Sequence, residues 1–196
     1  HVARYLALCE RLLRRERKAL RRRHAALKAT PLAHLADAAH LLVTDIDDTL
    51  IGDADSLGRL LEWRRANAGR VAFGVATGRS FRRTLEILET WGVPLPDVLV
   101  TSVGTEIRFA PELGLDKAWE GHIRHGWRRD AVVRALAGAT SLRKQPEAND
   151  GPYKASWDVV PGRHVDLAAI QRLLRVRGLA ARLVFSQGKY LDVLPV

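Results

Sequence analysis

Leu41-Leu42-Val43-Thr44-Asp45-Ile46-Asp47-Asp48-Thr49-Leu50 is the stretch that decides how this chain folds. An apolar run of strand length ends abruptly in two carboxylates spaced i, i+2, followed by a threonine. Side chains alternate along an extended chain, so Asp45 and Asp47 leave on the same side, where both can meet one ion and one substrate. Acids set beside a buried strand are costly unless a cation or a reaction uses them. A turn that merely caps a helix is the plainer reading of the same acids. A second motif decides between the two.

Working outward, Val71–Ala76 and Val98–Thr101 repeat the strand pattern, with helices expected near 56–67 and 80–91. Strand, helix, strand, helix, strand predicts an α/β domain on a parallel sheet with right-handed crossovers. Ligands of such sheets gather beyond the carboxyl ends of the strands. Asp45 and Asp47 stand at one such end and Thr77-Gly78-Arg79-Ser80 at the next, a joint placement that favours catalysis over two unrelated turns. Beyond residue 104 the order changes. Short strands are expected at Glu106–Phe109 and Leu142–Gln145, one long helix over 118–137, a strand at Lys154–Val160, a helix over 165–177 and a strand at Arg182–Phe185. This α+β run predicts a separate cap over 105–188, after which Tyr190–Leu194 is expected to return to the parent sheet.

Two carboxylates and a hydroxyl on adjacent loops suit phosphoryl transfer through an aspartyl phosphate. Asp45 is the expected nucleophile. Asp47, expected to be partly buried, is the acid that protonates the leaving oxygen and the base that then activates water. A divalent ion, Mg²⁺, is expected at Asp45 and the Asp47 carbonyl to offset repulsion between nucleophile and phosphate. Thr77 and Gly78 are the expected phosphate-binding residues, assisted by the N–H groups that open the following helix. Asp48 is read as a turn carboxylate.

Composition narrows the classes. Apolar residues make up 47%, enough for a core and too many for a disordered chain. No apolar run approaches membrane-span length. A single cysteine, Cys9, excludes an internal disulfide framework and fits a cytoplasmic setting. The net charge of +10 is uneven: residues 1–28 carry +8, on what reads as one basic helix with a narrow leucine stripe. Without interleaved aromatics this predicts a connecting helix and no nucleic-acid partner. The chain starts at His1 and has no methionine, and is therefore expected to be a piece of a longer protein.

The first motif, Asp45-Ile46-Asp47-Asp48-Thr49, and the second, Ala76-Thr77-Gly78-Arg79-Ser80, resemble those of the haloacid dehalogenase superfamily. The stretches Thr101-Ser102-Val103-Gly104-Thr105-Glu106-Ile107, Lys154-Ala155-Ser156-Trp157 and Phe185–Pro195 narrow the resemblance to sucrose-phosphate phosphatases. That resemblance implies a Rossmann-like parallel core with a C2-type cap, hydrolysis of sucrose 6-phosphate, and a cap that reads the sugar while the sheet handles phosphate. It implies Glu106, Gln145 and Lys154 as sugar contacts, although surface strand polars and a Lys–Glu pair fit these positions equally. Trp119, Trp127 and Trp157 are read either as sugar platforms or as packing, more often the latter. His1–Glu10 resembles the end of the glycosyltransferase domain of sucrose-phosphate synthase, which implies a covalently linked glycosyltransferase, with residues 1–40 as tail and linker. The family's lysine after the Leu-Asp-Val-Leu-Pro strand and its later acidic metal motif have no counterpart here. The resemblance therefore implies that the C-terminal part of the core lies outside this sequence, and that this stretch alone is inactive. A non-catalytic regulatory or scaffold domain of a synthase, or a phosphatase for another sugar phosphate, are the alternatives.

Overall fold

The computed structural model describes Leu35 and residues 37–196. The basic helix read at the N-terminus lies outside them.

The first sheet is built from β1 (His40–Thr44), β2 (Val71–Ala76), β3 (Val98–Thr101) and β4 (Glu106–Phe109), in that spatial order. β1, β2 and β3 run parallel, Leu42 opposite Phe73 and Val75 opposite Leu99. β4 turns back antiparallel on β3, Thr101 facing Glu106. Of the six β2 residues, Val71 to Val75 are buried, as expected of a strand covered on both faces. β1 alternates instead, leaving Leu41 and Val43 exposed, and pairs only with β2 among the described residues. The helices α1 (Ala54–Ala66) and α2 (Phe81–Thr90) make the crossovers. The Asp53 carboxylate caps α1 by accepting the Ser56 N–H at 2.6 Å, and Leu57, Leu60 and Leu61 turn one stripe inward. They meet Phe73, Val75, Leu88 and Leu99 in the first core.

The second sheet is antiparallel and holds β5 (Leu142–Lys144), β6 (Ala155–Val159), β8 (Tyr190–Leu194) and β7 (Arg182–Ser186) in that order. Here the structure departs from the sequence-based expectation: Tyr190–Leu194 does not rejoin the parent sheet. It lies between β6 and β7, Trp157 opposite Leu191 and Val184 opposite Asp192. Alternating Leu191 and Val193 fit either sheet, and contacts with distant strands decide. The expected start of the cap also shifts, because Glu106–Phe109 belongs to the first sheet through β3. The single long helix over 118–137 is two, α3 (Lys117–Arg124) and α4 (Arg129–Leu136). His125 is extended and Gly126 takes φ +71°, a left-handed bend that glycine adopts without steric cost. α3 packs on β4, whereas α4 and α5 (Leu167–Val176) pack together over the second sheet. Val132, Leu136, Trp157, Leu174, Leu191 and Val193 form a second core that shares no residue with the first.

β2 is packed so closely on β3 that a Cβ at Gly74 would lie 2.5 Å from Val98 Cγ1 and 3.3 Å from the Val98 carbonyl oxygen. Gly74→Ala is expected to destabilise the fold by about 1–3 kcal/mol through overpacking, seen as a lower urea midpoint.

Candidate active site

Beyond Thr44 the chain leaves the sheet in a tight turn, with the N–H groups of Leu50 and Ile51 both donating to the Ile46 carbonyl. Ile46 and Leu50 are the buried anchors of this turn, and Asp45 and Asp47, on either side of Ile46, are left facing outward. Both acids are exposed, which corrects the expected partial burial of Asp47.

The neighbouring loop, 77–80, is pinned from behind. Thr77 N–H donates to the Val100 carbonyl at 2.9 Å, Ser102 N–H to the Arg79 carbonyl at 2.7 Å, and Val103 N–H to the Thr77 carbonyl at 3.2 Å. These last two donors come from Ser102-Val103-Gly104, all three at positive φ, with Val103 at φ 59°, ψ 37°. For a β-branched residue that conformation costs about 1–2 kcal/mol, stored where two main chains must meet. Ser102 Oγ, fully buried, donates to Glu106 Oε1 at 2.9 Å, and Arg108 Nη2 donates to Glu106 Oε2 at 2.9 Å.

A cavity of about 620 Å³ opens between these loops and the second sheet. Asp45, Asp47, Gly78, Arg79, Gln145 and Lys154 are among its walls. Five of the seven expected site residues therefore come together. Two stand back. Thr77 is buried just behind the wall, its Oγ1 accepting the Arg79 N–H at 3.2 Å while keeping its own O–H to donate. Glu106 is held by Ser102 and Arg108 under the strained turn and does not line the cavity. The three tryptophans serve packing: Trp157 is buried in the second core, and the Trp119 and Trp127 indoles donate to the carbonyls of Gly104 and Pro152.

Two wall residues escaped the sequence reading of roles. Arg79 sits inside the quoted second motif, and its fork grips Asp47 with Nε to Oδ2 at 3.0 Å and Nη2 to Oδ1 at 2.7 Å. That pair, with the smaller attraction of Asp45, raises the Arg79 pKa above its ordinary value. Asp192, on the strand expected to return to the parent sheet, faces the cavity. It accepts from Ser156 Oγ at 2.6 Å and pairs with Lys154 at 3.5 Å. Lys154 is almost wholly buried and also donates to the Gly78 carbonyl at 3.1 Å, while Ser80 Oγ donates to Ala148 O at 3.0 Å. These contacts join the second sheet to the loop of the first.

A mostly parallel sheet presenting two outward acids at one strand end, a hydroxyl loop at the next and a cap above them defines a haloacid dehalogenase-type hydrolase fold. A solved haloacid dehalogenase-like hydrolase from Bacteroides thetaiotaomicron shares it, with a TM-score of 0.56 at 12% identity over 81% of this chain and 71% of its own. Within that class, the family model for sucrose-6F-phosphate phosphohydrolase matches residues 38–196, and the chain belongs to that family. Sucrose-phosphatase 1 of Nicotiana tabacum is 31% identical over 168 residues, 82% of this chain and 40% of its own length. The structure of the sucrose-phosphatase from Synechocystis sp. PCC6803, in complex with sucrose and phosphate, matches with a TM-score of 0.75 at 30% identity. That match covers 81% of this chain and 64% of the other. The chain thus spans less than two thirds of these two sucrose-phosphatases.

Mg²⁺ is the ion that haloacid dehalogenase phosphatases generally use. Asp45 is a hard-oxygen donor whose carboxylate accepts no hydrogen bond among the described residues, whereas both Asp47 oxygens are taken by Arg79. No group of three or more His, Cys, Asp and Glu side chains gathers among the described residues. This donor set fits an Mg²⁺ held by one carboxylate and substrate phosphate oxygens better than an all-protein cage.

Lys154→Met removes the partner of the buried Asp192 and the donor to Gly78. Unfolding free energy is expected to fall by roughly 3 kcal/mol, the low end for a broken buried pair because Ser156 still serves Asp192. Chemical denaturation measures it.

Proposed function

We propose that this chain carries the chemistry of a sugar-phosphate phosphatase that hydrolyses sucrose 6-phosphate to sucrose and inorganic phosphate. The observation that carries the reading is the meeting of Asp45, Asp47, Gly78 and Arg79 in one cavity under the second sheet, in a chain of the sucrose-6F-phosphate phosphohydrolase family.

Asp45 Oδ attacks phosphorus, the bond from phosphorus to the sugar oxygen breaks, and Asp47 gives that oxygen its proton. Asp47 then takes a proton from water, whose oxygen attacks phosphorus and returns Asp45 as a carboxylate with inorganic phosphate released. Phosphate oxygens are held by the Thr77 hydroxyl and by N–H groups of Gly78 and the first turn of α2. The Ser80 hydroxyl is turned away to Ala148, so it does not cap that turn, and the N–H groups stay free for an anion. Asp45 and the Asp47 carbonyl would hold a bound Mg²⁺, which would supply positive charge against the phosphate dianion. Gln145 and Lys154 are the nominated sugar contacts. The Gln145 amide is steadied by Asp158 at 2.7 Å and by Asn149 at 3.3 Å. Glu106 acts behind the wall as the brace of Ser102 and not as a sugar ligand. A glycosyltransferase domain in the same polypeptide and a cytoplasmic location belong to the same reading, supported by the resemblance of His1–Glu10 and by the lone Cys9.

In the full-length protein, Asp45→Asn is expected to abolish phosphate release from sucrose 6-phosphate by more than about 10³-fold. Asp47→Asn is expected to slow it about 10²–10⁴-fold, both measured as inorganic phosphate produced with time. Activity at the unaltered level in Asp45→Asn overturns the assignment of the nucleophile.

A further inference from the structure

Arg79 has no part in the steps above, yet it lines the cavity and grips Asp47. Its main chain is fixed at both ends, the N–H on Thr77 Oγ1 and the carbonyl on the Ser102 N–H. Only the side chain has freedom to move. The fork spends Nε and Nη2 on the two oxygens of Asp47, the residue assigned as proton donor. A guanidinium carries five N–H groups, so at least two on Nη1 remain for another acceptor. Lys154, the buried cation in the cavity wall, is already committed to Asp192 and Gly78. An entering phosphoryl dianion meets Asp45 and Asp47, two like charges, and Arg79 is the cation bonded to Asp47 and attracted by Asp45.

We propose that Arg79 is a shared phosphate ligand: its guanidinium clamps Asp47 and exchanges that carboxylate, in whole or part, for the phosphoryl oxygens of the substrate. The inference rests on the phosphatase reading and adds a residue to it. A dianion competes well with a carboxylate for a bidentate fork, because both present paired oxygens and the phosphoryl carries the larger charge. The exchange frees the Asp47 oxygens when a phosphoryl group is present to be hydrolysed. No covalent step is involved; one hydrogen-bonded ion pair replaces another.

The probe is inorganic phosphate, its dissociation constant measured by calorimetry on the full-length protein and four variants. Arg79→Gln is expected to weaken phosphate binding tenfold or more, and Arg79→Lys, which keeps charge but loses the fork, at least threefold. Asp47→Asn releases the fork and is expected to tighten binding threefold or more. In the Arg79→Gln, Asp47→Asn double variant that gain disappears. A gain that persists without Arg79 reflects only removal of a repelling charge and overturns the proposal. So does phosphate affinity unchanged in Arg79→Gln with native circular dichroism. Should Arg79→Gln fail to fold, wild-type affinity in Arg79→Lys overturns it equally. Failure of the phosphatase reading is separable, because the unaltered protein would then neither bind inorganic phosphate nor release it from sucrose 6-phosphate.

Discussion

The site depends on a short run of main-chain hydrogen bonds between two strand ends. Thr77 and Arg79 each lend a carbonyl to the turn at Ser102 and Val103, and Thr77 takes the Val100 carbonyl in return. Parallel strands alone bring such loops to one edge of a sheet without fixing their separation. The fixing comes from a turn with Val103 held left-handed, a conformation this residue would not adopt unaided. Three hydrogen bonds, each worth about 0.5–1.5 kcal/mol net, are enough to offset that strain. The buried Ser102–Glu106–Arg108 chain secures the turn from below.

Charge is then arranged in two tiers. Near the sheet, Arg79 answers Asp47 in the open, where solvent screens the pair and exchange is easy. Higher, at the second sheet, Lys154 answers Asp192 in near-complete burial, where exchange is not easy. The exposed pair is suited to being remade by a ligand, and the buried one to holding the roof against the loop.

Much of this was legible in the sequence, and the misses have physical causes. β1, β2 and β3 and their crossovers follow from apolar runs separated by helical stripes, and Asp45, Asp47 and Gly78 follow from strand ends. The place of Tyr190–Leu194 was not legible, because a strand's partners are set by surfaces assembled from β6 and β7, not by its own alternation. The break at His125-Gly126 has a visible signal in its glycine, within an otherwise continuous helical pattern. Thr77 lies on the loop after β2, and the Arg79 N–H that holds its oxygen just behind the cavity wall, with the O–H left to donate, is a contact composition does not reveal. Val103 was hidden for the opposite reason, since nothing in a valine announces a left-handed turn.

The two apolar cores share no side chain, and polar contacts such as Lys154 on Gly78 and Ser80 on Ala148 join the lobes that hold them. Each lobe can therefore accumulate change without repacking the other. Drift at the tip of the β7–β8 hairpin, where Ser186, Gln187 and Tyr190 look into the cavity, would reshape one wall while Asp45 and Asp47 stay put. An ancestral scaffold divided in this way can diversify its diet by inheritance of a new roof alone.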